Sequence, residues 1–367
     1  MIGRMDTCKS RTAGIAVMVC TLLGSAGLTG GTAVAQVPFK SRADSLPRKV
    51  LIASAIARFS GPVDDRLALA AQLLDEAAGK AQASPGARGL DLVVFPEFAW
   101  LKEDGLTAAE QAVDLDGPVV AALGEQAQRH QTWIVAPMTL REREPVSRIS
   151  NAAVLLNREG RVAGVFRKVH PMVDATGLFE GGVTPGDAYP VFECDFGRLG
   201  VLICWDMGYP EAWSALAAAG AEIVAVPSAS PQTVRPAAEA LRHHLYVVTS
   251  TPRDNASIFD PIGRTVAQVT QAPGMVVQEV DLAYAILHWS EGLEEGRALL
   301  QRFGERVGFD YSSREDTGLF FSNDPRTSIG SMVRELGLRE MPAEVERMKA
   351  AREKAVGSPR LKAQPDR

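Results

Sequence analysis

The sequence predicts an α/β fold built on mixed β-sheets, and three observations carry that prediction. Short apolar runs alternate with segments of helical period from Val50 onward. Several neighbouring runs are joined by turns too short for a crossover helix, so some strand pairs are antiparallel hairpins. The composition, 46% hydrophobic and 23% charged over 367 residues, is that of an ordinary globular chain. This length suits one large domain or two ordinary ones.

Taken in order, Val50–Ala57 (VLIASAIA) is a buried strand closed by Gly61-Pro62. Asp64 to Ala78 places Leu67, Ala70, Leu74 and Ala77 on one helical face. Leu92–Phe95 is a short strand stopped by Pro96, Gly117–His130 is a helix opened by Gly-Pro, and Trp133–Ala136 is a strand. Ala152–Asn157 and Arg161–Phe166 flank the turn Arg158-Glu159-Gly160 as a hairpin. Pro190–Phe196 and Leu199–Trp205 form the next hairpin, with its turn at Gly197-Arg198. Glu211–Gly220 and Pro236–His244 read as helices, with a strand at Ile223–Val226 between them. Leu245–Ser250, Ser257–Phe259, Thr265–Val269 and Met275–Val280 complete the strands. Residues 286–367 are charged and more helical, and are expected to form an appendage whose last ten or so residues are disordered. No internal repeat interrupts the series.

Residues 1–35 read as an export signal. Arg4, Lys9 and Arg11 form a positive n-region, Ala13 to Leu28 an apolar stretch, and Ala33-Val34-Ala35 a cleavage site before Gln36. The expected location is therefore periplasmic or extracellular. The alternative is an anchor through residues 13–28, although that stretch is short and glycine-rich for a spanning helix. Cleavage removes three bases and one acid, leaving 36 bases against 43 acids. Neither that balance nor any basic run suits phosphate neutralisation, so nucleic acid is not an expected partner.

Cleavage also removes Cys8 and Cys20, leaving Cys194 and Cys204. With the hairpin turn at Gly197-Arg198, Cys194 faces about Val201 and Cys204 about Val191. The sulfurs are then roughly 10 Å apart at 3.3 Å per residue, too far for a disulfide. Cys204 is expected to be a free thiol.

Common nucleotide-binding and serine-hydrolase motifs are absent, and the five histidines form no metal-ligand spacing. No cofactor or metal is expected. What remains are three polar residues at the ends of apolar segments: Glu97 after LVVFP, Lys168 after GVFR, and Cys204 after GVLI. An ionisable group there is held rigidly yet faces a sheet edge, the placement a catalytic constellation needs. Taken singly, each has a plainer reading: a helix-entry glutamate, a rim cation and a small buried hydrophobe.

Together with their neighbours, the three resemble the nitrilase superfamily of carbon–nitrogen hydrolases. Glu97 lies in VVFPEF, Lys168 in FRKVHP and Cys204 in GRLGVLICWDMGYPEAW. The stretches LDGPVVAAL, TPGDAYPVFECDFG, AEIVAVPSA and IFDPIGR extend the likeness over residues 48–285. Glu180, twelve residues after Lys168, corresponds to a second glutamate common near that family's site.

The resemblance implies a four-layer αββα sandwich of two mixed sheets that dimerises through helices, with residues 286–367 extending the dimer or capping the site. It implies a Glu97, Lys168, Cys204 triad: Cys204 attacks, Glu97 moves protons, and Lys168 lowers the thiol pKa and then faces the oxyanion with the backbone near Trp205. Glu180 would orient Lys168 or the substrate nitrogen, and Phe98, Trp100, Tyr209 and Ser228 would line the pocket. Asp206 reads as a hydrogen-bonder behind the nucleophile, and His170 as an orienting or structural residue. Cys204-Trp205-Asp206 is the form seen in amidase and carbamoylase branches, which favours a linear amide or N-carbamoyl substrate over a nitrile. Nitrile hydrolysis and acyl transfer by the same triad stay open as alternatives, as does a non-catalytic binding role. Two departures bear on specificity. Gly208-Tyr209 stands where many relatives have arginine and phenylalanine, so an acidic substrate relying on that arginine loses its partner. Thr249–Asn255 replaces a longer glycine-rich loop.

Overall fold

A computed structural model describes residues 41–83, 88–100, 106–143 and 148–357. The expected export signal and the terminal ten-residue tail lie outside the described residues.

The first half of the chain gives β1 (Lys49–Ile56), α1 (Val63–Ala83), β2 (Leu92–Val94), α2 (Ala108–Gln111), β3 (Val113–Asp114), α3 (Pro118–His130), β4 (Trp133–Glu142), β5 (Arg148–Leu156) and β6 (Val162–Arg167). The second gives β7 (Val191–Cys194), β8 (Gly197–Val201), α4 (Pro210–Ala218), β9 (Ile223–Pro227), α5 (Val234–His243), β10 (Tyr246–Ser250), β11 (Ala256–Phe259), β12 (Thr265–Val269) and β13 (Gly274–Asp281). One sheet runs β13-β1-β2-β4-β5-β6, with β3 beside β4, and the other β12-β11-β10-β9-β8-β7. Both mix parallel and antiparallel pairs.

Alternation along the strands explains the layering. Val50, Ile52, Leu92, Val94, Trp133 and Val135 point into a core shared with β8, β9 and β10 of the second sheet. Their neighbours Leu51, Ala53, Val93, Ile134 and Ala136 meet Leu73, Leu74, Ala77 and Leu123 of α1 and α3. Strands buried on both faces read as continuous apolar runs, which is how β1 and β2 look in the sequence. On the far side of the second sheet, Trp213, Leu216 and Ala240 bring in α4 and α5. The result is the αββα sandwich. Small residues let the sheets meet at β1 and β10, where Ser54 Oγ donates to Thr249 O and Ser250 Oγ to Ala55 O, both at 2.7 Å.

Strand direction then places the site. β1, β2, β4 and β6 run one way in the first sheet, and β8, β9 and β10 are mutually parallel in the second. A parallel bridge from Ile56 to Thr251 shows that β1 and β10 run together. The carboxyl ends of all seven strands therefore open on one end of the sandwich, where α/β sheets offer crevices for ligands.

Two expectations need correction. The β7–β8 turn lies at Asp195-Phe196, so Cys194 pairs with Gly197 and Val191 with Gly200. Gly197 marks a close approach rather than a turn: a Cβ there would stand 2.7 Å from Leu282 Cδ1. Cys194 and Cys204 are both free, and Cys204 lies beyond the strand, in a 3-10 turn at Cys204–Gly208. The C-terminal region is also less helical than its composition suggests. It forms a third, antiparallel sheet of β14 (Tyr284–His288), β15 (Val307–Ser312) and β16 (Thr317–Ser322), with α6 (Arg297–Phe303), α7 (Ile329–Glu335) and α8 (Met341–Val356). Leu287, Phe303, Phe320 and Met332 give it a core of its own, joined by Ala43 from the segment before β1. Charged residues between β15 and β16 mask the alternation Val307, Phe309, Tyr311 that signals the strand. Among the described residues, no helix is long and apolar enough to cross a membrane.

Candidate active site

Each of the three candidate residues leaves a strand at this end. Glu97 follows β2 after Pro96, and the backbone turns sharply at the next residue, since Phe98 has φ 59°. Lys168 follows β6, its N–H donating to Asn151 O of β5 at 2.8 Å. Cys204 comes three residues after β8 and also has left-handed backbone, φ 48°. For a residue with a side chain this costs on the order of 1–3 kcal/mol and persists only where the surroundings enforce it.

Here the enforcement is visible. Asp206, fully buried, accepts from Ile203 N at 3.1 Å through Oδ2 and from His170 N at 2.7 Å through Oδ1. His170 Nδ1 lies 3.2 Å from the same Oδ1. Trp213 Nε1 donates to Met207 O at 3.0 Å. The turn carrying Cys204 is thereby pinned to the Lys168 segment on one side and to α4 on the other. Burial raises the Asp206 pKa, although the two N–H donors, Lys168 and His170 pull against it.

The side chains converge. Lys168 Nζ donates to Glu97 Oε1 at 2.8 Å and to Glu180 Oε1 at 2.6 Å. Asn151 Nδ2 bridges the same two carboxylates, 2.8 Å from Glu97 Oε1 and 2.8 Å from Glu180 Oε2. Ala229 N donates to Glu97 Oε2 at 2.9 Å, and Met172 N to Glu180 Oε1 at 3.1 Å. Glu97, Lys168 and Asn151 are buried, and Glu180, itself at φ 42°, is half-buried.

Electrostatics follow from that packing. Burial alone would lower the Lys168 pKa, but Glu97, Glu180 and Cys204 outweigh it and hold the ammonium well above the usual lysine range. Burial, then the Glu97 charge, pushes the Cys204 thiol up to about 11. Lys168 and hydrogen bonds from Ser228 and the Ala229 N–H offset this only in part. Lys168 lowers the thiol pKa as expected, but burial and Glu97 outweigh that pull. The balance favours the protonated sulfur, with the Glu97 carboxylate beside it to receive the proton.

The remaining expected residues divide. Phe98 and Ala229 border a cavity of about 360 Å³ that reaches Glu97, with Arg58, Phe59 and Pro252 on its walls. Ser228 is buried next to the thiol, its Oγ donating to Ser230 O at 2.8 Å. Tyr209 stacks on the His170 ring, centroids 3.4 Å apart, and Trp205 is 46% exposed. Trp100 is not a lining residue: it is buried in the core under α1 and α3, its ring 5.1 Å from Phe59 and 5.6 Å from Phe95. Asn151 and the Ala229 N–H were not anticipated. An asparagine inside the apolar run of β5 is a readable signal, since a buried amide needs partners; a backbone N–H leaves none. Among the described residues, no group of three or more His, Cys, Asp or Glu side chains is disposed to share a metal ion.

Comparison with known proteins identifies the family and the fold. Over 149 residues the chain is 32% identical to a deaminated glutathione amidase of Yersinia enterocolitica, covering 38% of this chain and 52% of the relative. It is 30% identical over 190 residues to a human protein of the same name, covering 44% and 54%. The chain thus spans about half the length of the curated relatives it matches. A Saccharomyces cerevisiae member of branch 10 of the nitrilase superfamily shares the fold, with a TM-score of 0.54, 22% identity, and 64% of this chain and 91% of that chain covered. The model of the carbon–nitrogen hydrolase family matches residues 51–287, the two facing sheets and every candidate residue above, and the chain belongs to that family.

Proposed function

We propose that the protein hydrolyses the C–N bond of a linear amide or N-carbamoyl compound, through a thioester on Cys204, and releases ammonia. The observation that carries this reading is the buried Lys168 ammonium bonded to both Glu97 and Glu180, beside a cysteine held in left-handed backbone. A structural thiol would need neither the strained turn nor the charges.

In the first half, Cys204 Sγ bonds to the substrate carbonyl carbon as its proton passes to Glu97, which Lys168, Asn151 and Ala229 N hold in place. A thiol at about 11 ionises only as that transfer occurs, so nucleophile and base act together. Negative charge forms on the carbonyl oxygen, where the Lys168 ammonium and the Trp205 N–H stabilise it. Glu97 returns its proton to the nitrogen, the C–N bond breaks, and ammonia leaves. In the second half, water attacks the thioester while Glu97 takes its proton; the C–S bond breaks, and Cys204 is restored as a thiol beside the product acid. Glu180 keeps Lys168 aimed at the carbonyl.

The test is ammonia release by the chain from Gln36 onward across aliphatic amides, N-carbamoyl amines and nitriles, with Cys204→Ala alongside. Turnover of amides or carbamoyl compounds that vanishes in the variant supports the reading. Turnover that survives in Cys204→Ala overturns the mechanism, and release from nitriles alone overturns the substrate class.

A further inference from the structure

Gly208 closes the 3-10 turn that begins at Cys204, and a Cβ placed on it would stand 3.0 Å from Nη1 of Arg235. The guanidinium therefore occupies, against bare backbone, the space a side chain at position 208 would take. Arg235 is the second residue of α5. The loop before that helix carries Ser228 and Ala229 to the thiol and to Glu97. Arg235 is thus joined to the site from both sides, through the nucleophile turn and through the loop.

Among the described residues no acidic side chain is paired with this arginine. It is exposed and enters no hydrogen bond or ion pair among the described residues. Glu239, which feels its charge, already lies within 3.5 Å of Arg242 and 3.4 Å of His243. The first turn of α5 holds no acid, so the cation opposes the helix dipole uncompensated. Local conflicts of this kind collect at functional positions.

The site behind it supplies a reason. Two acidic side chains, Glu97 and Glu180, face the one basic side chain of Lys168, so acids outnumber bases at the site. A substrate carrying its own negative charge is repelled unless a cation at the rim receives that charge. Position agrees: Gly208 lies four residues after Cys204 in the same 3-10 turn, so the guanidinium against it stands on the turn that carries the nucleophile.

We infer that Arg235 determines specificity by receiving the carboxylate of a short amide substrate whose other end is attacked by Cys204. It does so from α5, filling the gap that Gly208 leaves in the turn. The inference rests on the amidase reading.

The experiment compares kcat/KM for succinamate, which carries a carboxylate, with that for butanamide, which does not, in wild type, Arg235→Ala and Arg235→Lys. The expected result is a fall of roughly tenfold or more in the succinamate-to-butanamide ratio for Arg235→Ala, with part of the loss recovered by lysine. A ratio within about twofold of wild type overturns the inference. Calorimetric titration of succinamate into Cys204→Ala and into Cys204→Ala with Arg235→Ala reads the contact without turnover. Weaker binding in the double variant supports the role of Arg235, and equal binding or none overturns it. If wild type releases ammonia from neither of these two amides, the wider panel above decides the amidase reading, while the titration still decides the arginine.

Discussion

Lys168 Nζ and Glu97 Oε1 are 2.8 Å apart, and each side chain is 1% exposed, so neither charge has solvent to fall back on. Such a pair is stable only as a set, since the Coulomb attraction offsets two desolvation costs that neither ion meets alone. Lys168 is shared further with Glu180, which makes it the single cation between two carboxylates.

Replacement of Lys168 by methionine should therefore harm the fold as well as the reaction. With Glu97 and Glu180 left facing each other, the loss is expected at about 3–5 kcal/mol. Urea unfolding of the variant measures it. A midpoint like that of wild type would mean that the carboxylates take up protons instead, visible as an acid-shifted stability profile.

The thiol should titrate late. Cys204 keeps its proton to about 11 in the native state, whereas an unfolded thiol loses it near ~8.5. A folded pKa above the unfolded one makes the contribution of this group to stability complete below pH ~8.5, and it is lost as pH rises toward 11. Iodoacetamide should alkylate Cys204 at a rate still climbing above pH 9. In Glu97→Gln the carboxylate that raises the thiol is gone, so alkylation at pH 8 should quicken while turnover disappears. A plateau near pH 7 in wild type would contradict the burial argument.

Asn151 should matter to rate more than to binding. Its Nδ2 bonds both Glu97 and Glu180, and alanine there removes two hydrogen bonds to charged groups without touching the thiol. We expect kcat to fall roughly tenfold to a hundredfold with KM changing less, as for other groups that orient catalytic side chains. Steady-state kinetics of Asn151→Ala on the best amide decides it. A rise in KM at constant kcat would place Asn151 against substrate instead.

Export makes a separate prediction. Protein recovered from expressing cells should begin at Gln36, as read by N-terminal mass spectrometry, and should be found outside the cytoplasm. An intact Met1 would contradict it.

Glu97, Lys168 and Cys204 were legible because each ends an apolar strand and carries a neighbouring motif. Glu180 was legible only through resemblance, since its loop has no period. Asn151 was missed although its signal was present, an amide beside Ser150 at the head of the buried stretch of β5, which is apolar from Ala152 to Leu156. Trp100 was misjudged because nearness in sequence to Glu97 says nothing about direction: Phe98 turns the chain, and the indole goes under the helices. The third sheet was hidden by its charged turn.

What the sequence by itself determined is local: the order of strands and helices, the two-sided burial of β1 and β2, and the chemical kinds of residue at strand ends. These follow from side-chain period and from turn chemistry, which act over a few residues. Only the tertiary structure decided that Glu97, Asn151, Lys168, Glu180 and Cys204 meet, that burial and Glu97 outweigh the pull of Lys168 on the thiol, and that Arg235 stands over Gly208. Those outcomes depend on which strands pair, which way they run, and how much water is left between them. Pairing and desolvation belong to contacts distant in sequence, which no local pattern encodes.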